Sequence, residues 1–396
     1  MTTPETVQVM AALGEARFVG GAVRNALLGA PVSDTDIAVP MPPEESLARL
    51  KAKGIKVVET GLEHGTVTAV LGNRAFEITS LRRDVETDGR HAKVAFTDDW
   101  AEDAARRDFT INALYASTEG EIFDYATGVE DLIAGRVRFV GEPGQRIAED
   151  YLRVLRLFRF HAWYGKGEID PDGLRAAAEA RDKLKTLSAE RVAKELLRLV
   201  AAPRPGPVLR VMAATGILSE LLPGALQLPR LEKLTELDAA NGLAADPVLR
   251  LAALLPDGEE AAQAAAVALK LSNADRDRLA GAVGAEKIAA HLSAQQARQL
   301  LYRWGAARFS DKVRLQWAQS ATGAGAWRML LQMANNWQRP RFPLTGRDVM
   351  AAGVVEGPEV GRVLAALEDW WIEGDFAADE GALRSRLKAV LAQGQP

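Results

Sequence analysis

Two aspartates, Asp34 and Asp36, are the residues of this sequence best suited to bind a metal ion. They are two apart at the start of a predicted strand, where such residues point to the same face. Two carboxylates held side by side repel each other unless a cation lies between them. We expect Mg²⁺, because it takes oxygen ligands and is usually held by one or two carboxylates together with substrate phosphates.

A diglycine, Gly20 and Gly21, lies upstream of this pair, between a predicted strand ending at Val19 and a short predicted helix over 22–28. Glycine allows backbone conformations that a side chain would block. The N–H groups at the start of the helix would then be free to hold phosphates. The stretch therefore predicts a site for a metal and a nucleotide.

Residues 18–39 resemble the signature of the DNA polymerase β-like nucleotidyltransferases. They resemble more closely the family of class II tRNA nucleotidyltransferases (CCA-adding enzymes) and bacterial poly(A) polymerases, through the letters GGAVRN, LLG and DTD. The resemblance assigns Arg24, with the diglycine, to nucleotide binding. Asn25 stands where the family often has Asp, which removes a charge that could orient Arg24.

The segment AFEITSL, which predicts a strand, offers a third carboxylate. Glu77 lies between Phe76 and Ile78 and therefore points away from the apolar face. The family has an acidic residue in the matching segment, and the resemblance implies that Glu77 lies near the metals. The alternative is an exposed strand residue.

The segment WAEDAARRDFTINALYA, over 100–116, has a helical period and contains the family motif RRDFTINA letter for letter. Arg107 can neutralise triphosphate charge, and Asn112 offers a donor and an acceptor to a ribose hydroxyl or a phosphate. Asp108 could hold Arg107 in place. The alternative is a helix with an ordinary surface ion pair.

A second helix is predicted over 146–164, and it contains EDYLR. Asp150 can accept a hydrogen bond from an exocyclic amine, and Arg153 can donate to a ring nitrogen or carbonyl, as side chains do when they read base edges. The resemblance implies that this EDxxR motif selects C or A in place of a nucleic-acid template, and that Arg156 and Arg159 reach phosphates. The alternative is an internal ion pair between Asp150 and Arg153, which could open to admit a nucleotide.

Residues 82–98 are polar and rich in both charges, which is typical of a mobile surface loop. The resemblance implies more, because CCA-adding enzymes carry DGR-type residues in a flexible loop that helps the switch from CTP to ATP. Asp88, Gly89 and Arg90 match that pattern. The loop argues against an enzyme that adds only CC, and the upstream GLEHGTVTAV favours the CCA-adding branch over poly(A) polymerases.

The elements that must position these residues change in type along the chain. Strand and helix signals alternate at first, and the remainder is almost wholly helical. We predict an α+β fold: an N-terminal polymerase β-like nucleotidyltransferase palm with a small mixed sheet, followed by an all-α region of neck, body and tail. The predicted boundaries are 1–140 for the head, 141–205 for the neck, 206–325 for the body and 326–396 for the tail.

Composition limits the class of protein. The chain has 396 residues, of which 26% are charged and 48% hydrophobic, as in an ordinary globular protein. The net charge of −4 means that an RNA-binding surface must be a local basic patch. The lack of cysteine excludes disulfides and cysteine nucleophiles and fits a cytoplasmic protein. No apolar run predicts a membrane helix, no signal peptide is expected, and no protein partner is evident.

Two later segments have less specific predictions. The helix over 187–200 resembles one that braces the base-reading helix, and we assign its Glu190, Arg191 and Glu195 to structure. The segment PRFPLTGRDVMAAGVVEGPEVGRVL resembles the family's tail. There we expect arginines to contact tRNA phosphates, with solvated surface as the alternative: Arg341, Arg347 and Arg362.

The sequence thus predicts addition of CCA to tRNA from CTP and ATP. Two Mg²⁺ ions on Asp34 and Asp36 would activate the RNA 3′-hydroxyl and stabilise the leaving pyrophosphate. A poly(A) polymerase, an enzyme adding only CC or A, and a non-catalytic RNA-binding module are the alternatives. A metal-dependent phosphohydrolase is disfavoured, because no histidine is followed by Asp and none has zinc-site spacing: His64, His91, His161 and His291.

Overall fold

The computed structural model describes residues 1–32, 35–59, 61–62, 65–88 and 91–392. Four residues named above lie outside this part of the chain: Asp34, His64, Gly89 and Arg90. The chain divides into two compact units. The first comprises Met1–Pro223 with Val267–Leu271, and the second comprises Gly224–Ala266 and the chain from Ser272 onwards.

The first unit is built on a seven-stranded mixed sheet with strand order β3-β4-β5-β2-β1-β8-β9. Only the β2–β5 pair is parallel among the pairs of this sheet, so the predicted small mixed sheet is confirmed. A separate antiparallel pair, β6–β7, occupies most of the segment predicted as a loop. The strands are β1 Arg17–Val19, β2 Asp36–Val39, β3 Lys56–Val58, β4 Thr66–Leu71, β5 Arg74–Ser80, β6 Arg82–Asp88, β7 His91–Phe96, β8 Leu114–Ala116 and β9 Ile122–Asp124.

Helices cover the sheet and make up the rest of the chain, as predicted. The helices of the first unit are α1 Pro4–Leu13, α2 Gly21–Leu27, α3 Pro43–Ala52, α4 Trp100–Ala105, α5 Gly128–Ala134, α6 Pro143–Glu149, α7 Leu152–Tyr164, α8 Pro171–Glu179, α9 Ala189–Val200, α10 Pro205–Ala214 and α11 Ile217–Leu221, with 3₁₀ turns at Thr110–Asn112 and Arg181–Thr186. Those that follow are α12 Leu228–Ala240, α13 Pro247–Leu254, α14 Glu259–Ala268, α15 Asn273–Val283, α16 Ala294–Gln319, α17 Ala324–Asn335, α18 Gly346–Ala351, α19 Pro358–Glu373 and α20 Glu380–Ala392. None of the helices in the described part of the chain is long and apolar enough to cross a bilayer.

The helix predicted over 100–116 is wrong beyond Ala105. α4 ends there, Phe109 forms a β-bridge with Phe139, and β8 pairs with β1. The segment forms a strand despite its helical period, because Leu114–Ala116 is fully buried in the sheet, with apolar partners on both faces. The motif residues therefore lie on a loop and a 3₁₀ turn between a helix and a strand.

The helix predicted over 146–164 is interrupted. Asp150 has extended backbone angles, φ −154° and ψ 106°, so α6 ends at Glu149 and α7 begins at Leu152. Most apolar side chains of α7, among them Leu155 and Phe158, are buried. Asp150 is thus presented from a break between helices rather than from a helix face.

The turn before α5 is held by one aspartate. Asp124 accepts hydrogen bonds from the N–H groups of Gly128 and Val129, each at 2.9 Å, and so organises the turn. A Cβ at Gly128 would lie 2.1 Å from the Thr110 carbonyl oxygen, so only glycine fits there. Thr127 adopts a left-handed φ of 58°.

The second unit has apolar clusters built from helices α16 to α20 and neighbouring segments. Three of its tryptophans are buried and pack in the core: Trp317, Trp327 and Trp371.

Candidate active site

The diglycine joins β1 to α2. Gly20 has a φ of +65°, which favours glycine, and its N–H donates to the Leu114 carbonyl oxygen at 3.0 Å. The Gly20 amide is therefore used by the sheet, and amides available to a phosphate begin no earlier than Gly21. A Cβ at Gly20 would lie 3.6 Å from Nη1 of Arg107, so the diglycine and Arg107 are neighbours.

Asp36 and Glu77 are directly paired residues of the parallel strands β2 and β5. Paired residues on adjacent strands share a face, so the two carboxylates project from the same side of the sheet. Glu77 is exposed between buried Phe76 and Ile78, as predicted. Carboxylate oxygens on one face are the donors that a hard cation takes. Within the described ranges no group of three His, Asp or Glu side chains forms a metal cluster; Asp34 is not in these ranges.

Arg24 is a buried cation, 6% exposed, whose hydrogen-bond partners here are neutral side chains. It donates to the Asn112 amide oxygen, to the Asn25 amide oxygen at 3.0 and 3.2 Å, and to the Tyr164 hydroxyl at 2.9 Å. Burial lowers the pKa of Arg24. Asn25 therefore orients Arg24 without a charge.

Asn112 connects Arg24 to Asp108. Its amide nitrogen donates to Asp108 Oδ1 at 3.0 Å, and Asp108 Oδ2 accepts from Arg156 Nε at 2.7 Å. Burial alone would raise the pKa of Asp108, but the Arg156 charge and the Asn112 hydrogen bond keep it below its usual value. The expectation that Asp108 holds Arg107 is wrong, because the carboxylate is taken up by Arg156 from α7.

Asp103 holds Arg107 instead. The Asp103 side chain is 1% exposed and accepts from Arg107 at 2.8 and 3.1 Å, from Arg106 Nε at 2.9 Å and from the Tyr115 hydroxyl at 2.7 Å. Burial would raise the pKa of Asp103, but the two guanidiniums and the Tyr115 hydroxyl bring it to about 2. Burial raises the pKa of Tyr115, so this hydroxyl remains a donor. Trp100 packs edge-on against the Tyr115 ring and fixes α4 on the sheet.

Asp150 and Arg153 do not pair with each other, so the alternative of an internal ion pair between them is wrong. Asp150 Oδ2 accepts from Arg191 Nη2 on α9 at 2.6 Å. Arg153 binds the Glu149 carboxylate and donates to the Arg146 carbonyl oxygen at 2.8 Å. Each of the two side chains is therefore held by partners of its own, and both line the same cleft.

Arg159 differs from the other arginines of α7. It is 9% exposed and its Nε donates to Glu195 of α9, while its guanidinium lies 4.1 Å from the Phe160 ring centroid. Glu195 is therefore structural, as predicted. Arg159 braces α7 against α9 in this structure, and its contact with a phosphate stays a prediction.

Five arginines and two aspartates line one open cleft of about 270 Å³, which we call the arginine cleft. Its positive excess suits a polyanion such as a triphosphate. The sequence did not predict a role in the site for Arg191, Asp103 or Tyr115. Of their contacts, only the ion pair between Asp103 and Arg107 could have been indicated by its i, i+4 spacing. The lining is Arg106, Arg107, Asp108, Asp150, Leu152, Arg153, Arg156 and Arg191.

Comparisons with known proteins show which families and structures this chain is similar to. Residues 16–138 match the family model described as Poly A polymerase head domain, and residues 168–228 match the model described as Probable RNA and SrmB- binding site of polymerase A. CCA tRNA nucleotidyltransferase 1, mitochondrial, from Homo sapiens is 32% identical, over 94% of this chain and 86% of its own length. The CCA-adding enzyme of Levilactobacillus brevis is 31% identical, over 93% and 92%. The crystal structure of the Bacillus stearothermophilus CCA-adding enzyme in complex with CTP superposes with a TM-score of 0.77 at 26% identity, covering 99% of both chains.

Proposed function

The chain belongs to the CCA tRNA nucleotidyltransferase family, and we propose that it adds CCA to the 3′ end of tRNA from CTP and ATP without a nucleic-acid template. One observation carries the proposal: a single cleft combines Arg107 next to the diglycine with Asp150 and Arg153. Such a cleft can hold a triphosphate at one end and a base edge at the other. The CTP complex of a 26% identical relative supports the same reading.

In this proposal Arg107 and Arg156 bind the triphosphate. Each is anchored from behind by a carboxylate, Asp103 for Arg107 and Asp108 for Arg156. Anchored guanidiniums need little reorganisation as charge develops on the departing pyrophosphate, which is how fixed charges accelerate a reaction. Asn112 lies at the centre of this network, with Arg24 behind it, and we assign it to the ribose.

Asp150 and Arg153 would read the base. Cytosine and adenine both carry an exocyclic amine next to a ring nitrogen, so one acceptor and one donor on the protein can recognise either base. Uracil and guanine have a carbonyl in place of the amine, which a carboxylate repels. The same pair can thus accept both substrates and reject the other two nucleotides.

The carboxylates of Asp36 and Glu77, with Asp34, would hold Mg²⁺, which their oxygen donors and their shared face suit. When bound, the metal would make the tRNA 3′-hydroxyl a better nucleophile and stabilise charge on the leaving pyrophosphate in an in-line displacement. The protein's contribution is to hold the base, sugar and phosphates in line with that hydroxyl.

The remaining assignments are part of the same proposal. The head, neck, body and tail would follow the boundaries 1–140, 141–205, 206–325 and 326–396. Three exposed or half-exposed arginines of the tail, Arg341, Arg347 and Arg362, would contact tRNA phosphates. We also propose that the reaction takes place in the cytoplasm.

Product analysis tests the function directly. The protein is incubated with tRNA lacking its 3′ CCA, Mg²⁺, and CTP and ATP alone or mixed, and the products are sequenced. Addition that stops after CCA supports the proposal, whereas a long A tail indicates a poly(A) polymerase and arrest after CC or A indicates partial addition. Asp34→Ala and Asp36→Ala should abolish incorporation while tRNA binding survives, and Glu45→Ala, on the exposed face of α3, serves as the control.

A further inference from the structure

We propose that Arg191 is a positioning residue for base selection, because it holds the Asp150 carboxylate in the orientation that accepts an exocyclic amine. The inference rests on the proposed function, in which Asp150 reads the base. It differs from the sequence-based assignment of Arg191 to structure alone.

The location of Asp150 explains why it needs a partner. It lies at the break between α6 and α7 and is only half-buried, so neither helix geometry nor close packing fixes its side chain. Its two carboxylate oxygens are engaged separately: Oδ1 accepts from the Leu152 N–H at 3.1 Å, and Oδ2 accepts from Arg191 Nη2 at 2.6 Å. The contact from α9 therefore sets the plane of the carboxylate.

Arg191 acts on only one half of the base-reading pair. Arg153 is held separately by Glu149 and by the Arg146 carbonyl oxygen. Removing the Arg191 guanidinium leaves those contacts in place and frees Asp150 to turn toward Arg156, which lines the same arginine cleft. An Asp150 paired with Arg156 no longer faces a base amine.

This placement predicts a loss of selectivity rather than a uniform loss of activity. A correctly placed carboxylate gains a hydrogen bond from CTP or ATP and opposes the carbonyl of UTP or GTP, whereas a reoriented one does neither. A hydrogen bond to a charged group corresponds to a discrimination of about 10- to 100-fold. We expect Arg191→Met to reduce the ratio of kcat/KM for CTP to that for UTP by about tenfold or more.

Single-nucleotide incorporation on tRNA lacking CCA tests the inference. The ratio is measured for wild type, Arg191→Met, Arg191→Gln, Arg191→Lys and the matched control Lys194→Met, an exposed residue three positions along α9. Lysine can still donate to Asp150, so Arg191→Lys should stay within about threefold of wild type, and Lys194→Met should be unchanged. Arg191 is exposed, and circular dichroism verifies that each variant is folded.

The variant Asp150→Asn distinguishes a failure of the proposed function from a failure of the role of Arg191. If Asp150→Asn leaves the CTP to UTP ratio unchanged, base reading by Asp150 fails and the proposed function loses its selection step. If Asp150→Asn abolishes selectivity while Arg191→Met and Arg191→Gln lower incorporation of CTP and UTP equally, only the role of Arg191 is overturned, and this arginine merely braces α9.

Discussion

Replacing Asp103 by Asn tests whether a buried carboxylate fixes the triphosphate-binding arginine. Asp103 accepts hydrogen bonds from Arg106, Arg107 and Tyr115 and also from the backbone N–H of Arg82 at 3.2 Å. An amide in its place carries no charge and directs its NH₂ group at partners that are all donors. Asp103→Asn should therefore destabilise the fold and loosen Arg107.

The size of the effect follows from the pKa of Asp103. A folded value of about 2 against an ordinary 3.8 corresponds to about 2–3 kcal/mol in favour of the charged form at neutral pH. The cost of breaking a buried ion pair, typically about 3–5 kcal/mol, is a second measure of the same interaction and is not added to the first. We expect the free energy of unfolding to fall by about 2–4 kcal/mol.

Urea unfolding followed by circular dichroism measures the loss, and hydrogen exchange of peptides spanning 100–116 locates it. The control is Asp172→Asn, which breaks an exposed ion pair with Arg175 and should cost no more than about 0.5 kcal/mol. In kinetics, Asp103→Asn should raise KM for CTP and ATP alike, because Arg107 meets the triphosphate that both share.

The pH dependence of the unfolding free energy gives an independent test, because the direction of the change at low pH is defined. Because the folded pKa of Asp103 is depressed, its stabilisation is complete above the ordinary value of 3.8 and is lost as the pH falls toward 2. The difference in unfolding free energy between wild type and Asp103→Asn should therefore be roughly halved by pH 3. A variant as stable as wild type, or a difference that does not change between pH 5 and 3, would refute the reasoning.

Three further changes test other contacts of the first unit. Arg24→Met removes the donor behind Asn112 and should lower kcat/KM for CTP about tenfold, whereas Arg24→Lys should recover part of it; equal activity in all three proteins would contradict the network. Gly128→Ala should cost about 1–3 kcal/mol in urea unfolding because its Cβ meets a carbonyl oxygen, while Gly361→Ala, which meets nothing, should be neutral or slightly stabilising. Glu195→Gln leaves Arg159 buried without a carboxylate and should cost about 3 kcal/mol in the same assay, and a loss below about 1 kcal/mol would mean that Arg159 is solvated.

Much of the fold could be predicted because, in several segments, the local sequence pattern favours the same structure as packing in the folded chain. The strand β5 is predicted by AFEITSL, whose period of two matches one buried face. The segment MPPEESLARLKAKG has prolines at its start and a glycine at its end, as a short helix should, and it forms α3, which begins at Pro43. Here local preference and tertiary packing point to the same structure.

Local period failed where long-range packing decides the structure. Residues 100–116 and 146–164 both have helical spacing, yet one contains a strand and the other a break. Pairing of Leu114–Ala116 with β1 depends on a strand almost a hundred residues earlier in the chain, and the extended backbone of Asp150 accompanies a contact with α9. Both partners, β1 and α9, lie outside the short stretch of sequence over which a helical period is counted.

The spacing of residues in the sequence does not predict which ion-pair partners the site residues choose. Arg107 and Arg153 each have more than one carboxylate within five residues, whereas the partner of Arg156 lies 48 residues away, and only the folded chain determines which carboxylate is used. Proximity in sequence predicted Asp108 for Arg107 and Asp150 for Arg153, and both were wrong. The structure instead joins residues of different elements, since a carboxylate shared across elements also fixes those elements relative to each other.

This allocation has a consequence for how a chain with a net charge of −4 can bind a triphosphate. The carboxylates that accompany the cleft arginines lie behind them or at the base-reading position, with Asp103 and Asp108 in the interior. They offset the cost of holding several guanidiniums close together, and they leave other N–H donors of those guanidiniums available to the cleft. Arg159 is a different case, because its Nε donates to Glu195, its guanidinium packs on the Phe160 ring, and it is not among the residues that line the cleft. The number of arginines in the motif is therefore a poor guide to the charge that a nucleotide meets; the position of each anchoring carboxylate determines it.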